Sequence, residues 1–287
     1  MTVRRIPRAA SGFPQLLRRI HDPPAVVWVR GDADLSVLDA SALVAVVGAR
    51  ACSSYGRGVA RSLGRELAAA GAVVVSGLAR GIDGEAHRGA LDGGGPTVAV
   101  LGCGIDRDYP AAHRELASRI VAAGGLVLSE YEPGVEPAPW RFPARNRLIA
   151  GLCHLTVVVE ARQRSGALIT ADMALEQGRD VMAVPGEITS GLAAGTNGLI
   201  RQGAAPVTAV ADVLEALGLT ARVEERTPLS AVEAAVLRAV ASGPLGADDV
   251  VRATGLETGV VAAALVELEL AGRVSADDGA YRSTIAG

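Results

Sequence analysis

The strongest constraint on this 287-residue chain is a rhythm. Val-rich apolar runs at 43–47, 72–76, 97–101, 126–128, 155–160 and 181–184 alternate with stretches of helical period at 58–70, 84–91, 111–123 and 167–177. A run that is apolar at nearly every position suits a strand covered on both faces. Strand and helix in alternation imply crossovers, and crossovers make neighbouring strands parallel. The sequence thus predicts an α/β fold with a Rossmann-like, doubly wound, mostly parallel sheet. Such sheets bind ligands beyond the carboxyl ends of their strands. Here those ends read Gly48-Ala49-Arg50, Ser76-Gly77-Leu78-Ala79-Arg80-Gly81, Gly102-Cys103-Gly104, Ser129-Glu130 and Glu160-Ala161. The unusual residues gather where a site is expected.

Composition narrows the class. Hydrophobic residues make up 49% and charged residues 21%, a globular balance. Aromatics are only 3%, so the core must be built from Ala, Val and Leu. Every basic side chain other than His is Arg. A net charge of −3 argues against a protein that coats duplex DNA without specificity. The charge is unevenly spread: residues 228–287 hold four Arg against eight carboxylates, a net −4, which leaves +1 for the first 227. An anion site therefore belongs to the larger part. Three distant Cys, with no C-x-x-C pair, fit a reducing compartment, and four scattered His give no zinc spacing. We expect no cofactor and no metal. No membrane-length apolar run and no signal-peptide core are visible, so a cytoplasmic location is expected.

The chain divides by pattern. Residues 1–40 include Phe13-Pro14-Gln15-Leu16-Leu17 and Asp22-Pro23-Pro24, which read as a helix remnant and an extended arm packed on the sheet. Residues 41–217 form the sheet domain, and the polar stretch 218–229, ending in Thr227-Pro228, reads as a linker. Residues 230–287 show helical stretches at 231–240, 247–253 and 258–271, then a hairpin turning at Asp277-Asp278-Gly279. Three helices and a hairpin predict a winged-helix module. Its expected recognition helix, 257–270, has three Glu and no Arg. That composition suits a protein contact or a spacer better than DNA reading.

Several loops carry binding chemistry. The chain has two Trp and two Phe, and one of each falls in Trp140-Arg141-Phe142-Pro143-Ala144-Arg145-Asn146-Arg147. Flat rings stack on unpaired bases, and guanidinium groups grip phosphates, so this cluster suggests single-stranded nucleic acid. The plainer alternative is a surface loop with its aromatic tucked into the core. A dinucleotide fold would place Gly at 48, 50 and 53, where this chain has Gly48, Arg50 and Ser53. Arg50 would block a pyrophosphate yet could fork onto a phosphate. Ser53 and the amides near Gly56 could complete an anion site at a helix N-terminus. Arg80 sits between Gly77 and Gly81 in the next loop, where Asp83 reads as a helix cap. Ser165, Gly166 and Thr170 form a small-residue turn that could meet phosphate or ribose. No G-x-x-x-x-G-K-[ST] and no G-x-S-x-G motif is present, which speaks for binding rather than catalysis.

Taken in order, V-G-A-R-A-C-S-S-Y-G, S-G-L-A-R-G-I-D, L-G-C-G-I-D-R-D-Y-P, S-E-Y-x-P-G, R-F-P-A-R-N-R-L-I-A-G-L, V-V-V-E-A, S-G-A-L-I-T-A-x-x-A-L-E-Q-G-R-D-V-x-A-V-P-G and G-T-N-x-L-I-R-Q-G-A closely resemble the DNA-processing protein A family (DprA/Smf). The resemblance covers roughly residues 13–217, and the tail resembles the winged-helix module many members carry. It implies a non-enzymatic, dimeric protein that binds single-stranded DNA, protects it and helps load the RecA recombinase during DNA uptake and transformation. Single-stranded-DNA-binding protein is a further candidate partner. Carried over by motif, Arg50, Ser53, Tyr55 and Gly56 would lie at a phosphate pocket. Arg80 and Gly81 would lie on the DNA path. Phe142, Arg145, Asn146 and Arg147 would line the strand, with Phe142 the base stacker. Many members begin with a helical, SAM-like domain that has no counterpart ahead of Phe13 in this sequence.

The runner-up is an enzyme similar to nucleoside-monophosphate phosphoribohydrolases, which share the Gly-rich architecture. Their P-G-G-x-G-T-x-x-E loop carries a catalytic Glu, whereas the comparable loop here, Ser165-Gly166-Ala167-Leu168-Ile169-Thr170-Ala171, has no acid. A transcription regulator working through the winged helix is a third reading, opposed by the acidic recognition helix.

Overall fold

The structure, a computed structural model, describes residues 2–220, 229–277 and 279–283. It has two compact units, Met1–Ala221 and Arg222–Gly287.

In the first unit the strands are β1 (Val3–Pro7), β2 (Val26–Arg30), β3 (Leu43–Val47), β4 (Val73–Ser76), β5 (Thr97–Leu101), β6 (Leu126–Ser129), β7 (Leu155–Val158), β8 (Asp180–Ala183) and β9 (Ala205–Pro206). The helices are α1 (Gln15–Arg18), α2 (Ser54–Ala69), α3 (Ile82–Asp92), α4 (Arg114–Ala122), α5 (Arg141–Leu152), α6 (Gly166–Glu176), α7 (Ala194–Arg201) and α8 (Val210–Ala216). One nine-stranded sheet runs β1-β2-β6-β5-β4-β3-β7-β8-β9. From β6 to β9 all neighbours are parallel; β1 and β2 pair antiparallel at one edge. The chain moves outward from β3 to β6, then returns to place β7 beside β3. The β3–β7 boundary is the topological switch point, and a crevice opens beyond the strand ends there.

The apolar runs behave as their composition requires. All residues of β3, β4, β5, β6 and β7 are buried, and the core joins Val, Leu and Ile of the strands to α5 and α6. Each fully buried Val or Leu contributes about 1.5–3 kcal/mol, so aliphatic density replaces aromatic bulk. Residues 1–40 hold a short helix, α1, where one was expected, but the arm departs from expectation. The arm is a pair of strands that extends the sheet, with β2 in register against β6 through Trp28 and Ser129. Its Arg4, Arg5 and Arg30 conceal the apolar alternation that a strand on a half-covered edge needs.

The second unit has α9 (Ala231–Ala241), β10 (Leu245–Gly246), α10 (Ala247–Thr254), α11 (Thr258–Leu270), β11 (Val274–Asp277) and β12 (Ala280–Ser283). Strands β10, β12 and β11 form a small antiparallel sheet, which completes a winged helix. Ser230 and Glu233 close a capping box on α9, and Gly255 ends α10 in a left-handed conformation. Val236, Val240, Val250, Val261, Leu265 and Leu268 fill the core. Of the expected linker, residues 221–228 lie outside the described residues, as does Asp278 of the expected hairpin turn.

Candidate nucleic-acid interface

The loop after β3 leads into α2 with Ser53 as N-cap, its hydroxyl accepting from Gly56 N at 3.0 Å. The anion at this helix N-terminus is internal. Glu160, just beyond β7, accepts from Ser53 N at 2.9 Å and from the Ser53 hydroxyl. A Cβ on Gly56 would stand 2.4 Å from the Glu160 carboxyl carbon, so glycine here makes room for that group. The phosphate expected at Ser53 and Gly56 thus has a carboxylate in its place. Tyr55 is exposed and donates to Pro185 O at 3.3 Å.

Arg50 projects from the same loop, and its guanidinium carbon lies 5.4 Å from the centroid of Phe142. The Phe142 ring also stacks on Tyr109, with centroids 5.1 Å apart and planes at 25°. Phe142 is half-buried and Tyr109 is exposed. The aromatic segment is not a loop. It opens α5, where Pro143 falls in the first turn and needs no amide donor. Gly102 allows this approach, because a Cβ there would meet Phe142 at 2.9 Å.

The arginines of α5 have different roles. Arg145 is only 4% exposed and donates to Gly77 O at 2.8 Å and to Val100 O. Burial pulls its pKa down to about 10, with nearby Asp83 acting in the opposite sense. Arg147 forks onto Glu130 at 2.8 and 2.7 Å and reaches Asp22 at 3.1 Å. Its hydrogen bonds to Glu130 raise its pKa. Arg141 lies over Trp140 and Tyr131, at 4.6 and 5.1 Å from their centroids. Arg145 and Arg147 therefore brace the scaffold, with their guanidinium groups already held by acceptors within the protein.

The loop after β4 presents Arg80 to solvent with no partner among the described residues. Gly81 has φ +77°, and a Cβ on it would lie 2.3 Å from Ala49 O, so this loop packs directly on the Arg50 loop. Asp83 does not cap its helix. It is buried and accepts from Gly77 N and Ala79 N at 3.1 and 3.3 Å, tying down the preceding loop. Burial raises its pKa and Arg145 opposes that rise.

The N-terminus of α6 contrasts with that of α2. Ser165 holds the N-cap position without making a cap bond, and its hydroxyl is buried with no partner among the described residues. Asn146 donates to Gly166 O at 3.1 Å, and Thr170 donates to the same oxygen at 3.2 Å. Arg50, Phe142, Arg145, Asn146, Ser165, Gly166 and Thr170 share one pocket of about 290 Å³, with Gly48 and Asp83 also in its wall. Ser53, Tyr55, Gly56, Arg80, Gly81 and Arg147 lie outside that lining. Sequence reasoning missed Tyr109, Arg162 and Arg164. Both arginines are exposed beyond β7 and without partners among the described residues. Arg164 has φ +59°, a strained backbone for a non-glycine residue. The signal available was their position, directly between a strand end and the Ser165-Gly166 turn.

The sequence profile described as DNA recombination-mediator protein A matches residues 4–218. The chain belongs to this family. A second profile, the DprA winged helix domain, matches residues 220–280. The DNA processing protein DprA of Streptococcus pneumoniae is 48% identical over 206 residues, 70% of this chain and 70% of that protein. Protein Smf of Escherichia coli is 38% identical over 287 residues, 96% of this chain and 76% of that protein. The X-ray structure of the S. pneumoniae protein aligns with a TM-score of 0.69 at 43% identity, covering 75% of this chain and 74% of that one. DNA processing protein A of Helicobacter pylori, studied for its single-stranded DNA binding mode, gives 0.67 at 29% identity, covering 76% and 96%. Family members are DNA-processing proteins of the recombination-mediator class. No helix among the described residues is long and apolar enough to cross a membrane.

Proposed function

We propose that this chain binds single-stranded DNA across the carboxyl edge of its large sheet. It then acts as a recombination mediator, protecting the strand and assisting RecA loading in DNA uptake and processing. The observation that carries this reading is the Arg50–Phe142–Tyr109 aromatic and cationic cluster beside a polar pocket at the switch point. A partly exposed ring beside a cation suits an unpaired base, which offers its face only when it is not paired. The single-stranded DNA binding of the H. pylori relative supports the same assignment.

In this reading Phe142 and Tyr109 meet bases. Arg50, Arg80, Arg162 and Arg164 meet phosphates, and Asn146, Ser165, Gly166 and Thr170 receive a phosphate or sugar in the pocket. Arg145, Arg147, Ser53 and Gly56 hold these groups in place, and Tyr55 and Gly81 shape the two loops. Residues 218–229 link this domain to the winged helix, and the working form is a cytoplasmic homodimer. Titration with labelled oligo-dT and with a matched duplex tests the binding. Tight, salt-sensitive binding of the single strand and much weaker duplex binding is the expected result. RecA polymerisation on strands coated with single-stranded-DNA-binding protein tests loading, and the full chain should shorten its lag.

One observation favours the hydrolase alternative. Asp83 is a buried pocket-wall carboxyl whose pKa is raised by burial. Both backbone amides it accepts from are loop braces, which gives it a structural task already. Release of free base from nucleoside monophosphates, lost in Asp83→Asn, would establish that alternative.

A further inference from the structure

The carboxylate of Glu160 occupies the place where a doubly wound fold receives a phosphate. This seat has the parts for a ligand: a 16-residue helix with no acid in its first turn, a capping serine and a glycine-lined approach. The donors of Ser53 are nevertheless taken. Ser53 N and the Ser53 hydroxyl both give their hydrogens to Glu160, and Gly56 leaves room for nothing larger than hydrogen beside that carboxyl. Glu160 is 6% exposed and makes no salt bridge with a described residue. A buried carboxyl needs hydrogen-bond partners, and here Ser53 supplies two of them beside the N-terminus of α2. The Glu160 backbone grips the same loop from the other end, accepting from Ala49 N at 2.8 Å. Arg50 lies between these two attachments and points over Phe142.

We propose that Glu160 is a built-in anion that closes the phosphate seat of α2 to nucleotides and, through the same contacts, positions Arg50 over Phe142. The closure would make this sheet edge selective for a polynucleotide strand over free nucleotides such as ADP. The part concerning Arg50 rests on the single-strand reading above; the part concerning ADP does not.

Calorimetric titration of the full chain with ADP and with inorganic phosphate tests the closure. Glu160→Ala should bind ADP at least about tenfold more tightly than the wild type, a gain of about 1.4 kcal/mol. Adding Ser53→Ala should abolish that gain, and Glu160→Gln, which keeps the shape, should return the seat toward its closed state. A merely structural Glu160 would give no such gain. On the single strand, Glu160→Ala should weaken oligo-dT binding several-fold and Glu160→Gln should restore most of it. A folded Glu160→Ala protein with wild-type ADP affinity would overturn the proposal. If that variant fails to fold, the wild type decides: ADP should leave the NMR shifts of the Ser53 and Gly56 amides unmoved, and a saturable shift there would overturn it. Loss of oligo-dT binding in the wild type itself would instead count against the function, leaving the ADP arm readable.

Discussion

The carboxyl edge of the large sheet and helix α11 of the winged helix stand where their folds meet nucleic acid, but their exposed chemistry is opposite. The sheet edge presents Arg50, Arg80, Arg162 and Arg164, with half-buried Phe142 and exposed Tyr109 between loops. Helix α11 presents Glu267 and Glu269, with Val266 and Leu270 beside them, Leu270 at 84% exposure. A phosphate backbone attracts the first surface and is repelled by the second. A family-level label for the winged helix is therefore insufficient to make it a DNA reader. The fold supplies a shape, and the exposed side chains decide what meets it.

The largest effect should break the sheet edge itself. Phe142→Ala should weaken oligo-dT binding by about 1–3 kcal/mol with its thermal midpoint nearly unchanged, as judged by fluorescence titration and melting. An unaltered affinity would remove Phe142 as the stacker. Arg147→Ala should separate scaffold from contact. Loss of its forked pair with Glu130 should cost roughly 1–3 kcal/mol of stability in denaturant melts, while strand affinity of the folded protein stays close to wild type. Arg50→Ala and Arg80→Ala should each lower the slope of log affinity against log salt by up to about one. Arg164→Gly should reduce that slope similarly and raise stability by up to about 1 kcal/mol, since glycine accepts its positive φ. The smallest effect should come from α11: Glu267→Ala with Glu269→Ala should leave oligo-dT affinity within about twofold.

Acid offers another way to separate the two units, because all four His lie in the first. His87 is fully buried, and burial, assisted by nearby His113, lowers its pKa to about 3. A depressed folded pKa contributes stability that is full above the unfolded value near 6.5 and lost as pH falls toward 3. Asp83, with its raised pKa, acts in the opposite sense. Melting of the first unit should therefore fall as pH drops from 7 to 4, with a shallower fall in His87→Gln.

The parallel sheet was legible because β3 is apolar along its whole length, β5 and β7 are apolar but for one Thr each, and all three lie near helical periods. The N-terminal strands were not, since the Val-Arg-Arg-Ile-Pro of β1 reads as a basic arm until its partner β2 is known. Pro143 and its flanking arginines hid the start of α5. In the site, Arg50, Phe142 and the Ser165 turn stood out by residue type. Arg145 and Arg147 stood out equally, yet their roles depend on Gly77, Val100, Glu130 and Asp22, most of them distant in sequence. Residue type announces what a side chain can do, and only the partners across the fold show whether it is already engaged. Glu160 is the sharpest case: an acid at a strand end gives no sign that a helix N-terminus 107 residues earlier awaits it.

The most direct test is one titration series of oligo-dT at two salt concentrations, run on the full chain, on Phe142→Ala and on a chain ending before residue 229. Binding should be tight and salt-sensitive, weakened in Phe142→Ala and retained on loss of the winged helix. Wild-type affinity in Phe142→Ala together with lost binding in the shortened chain would contradict it, and would transfer the strand from the sheet edge to the winged helix.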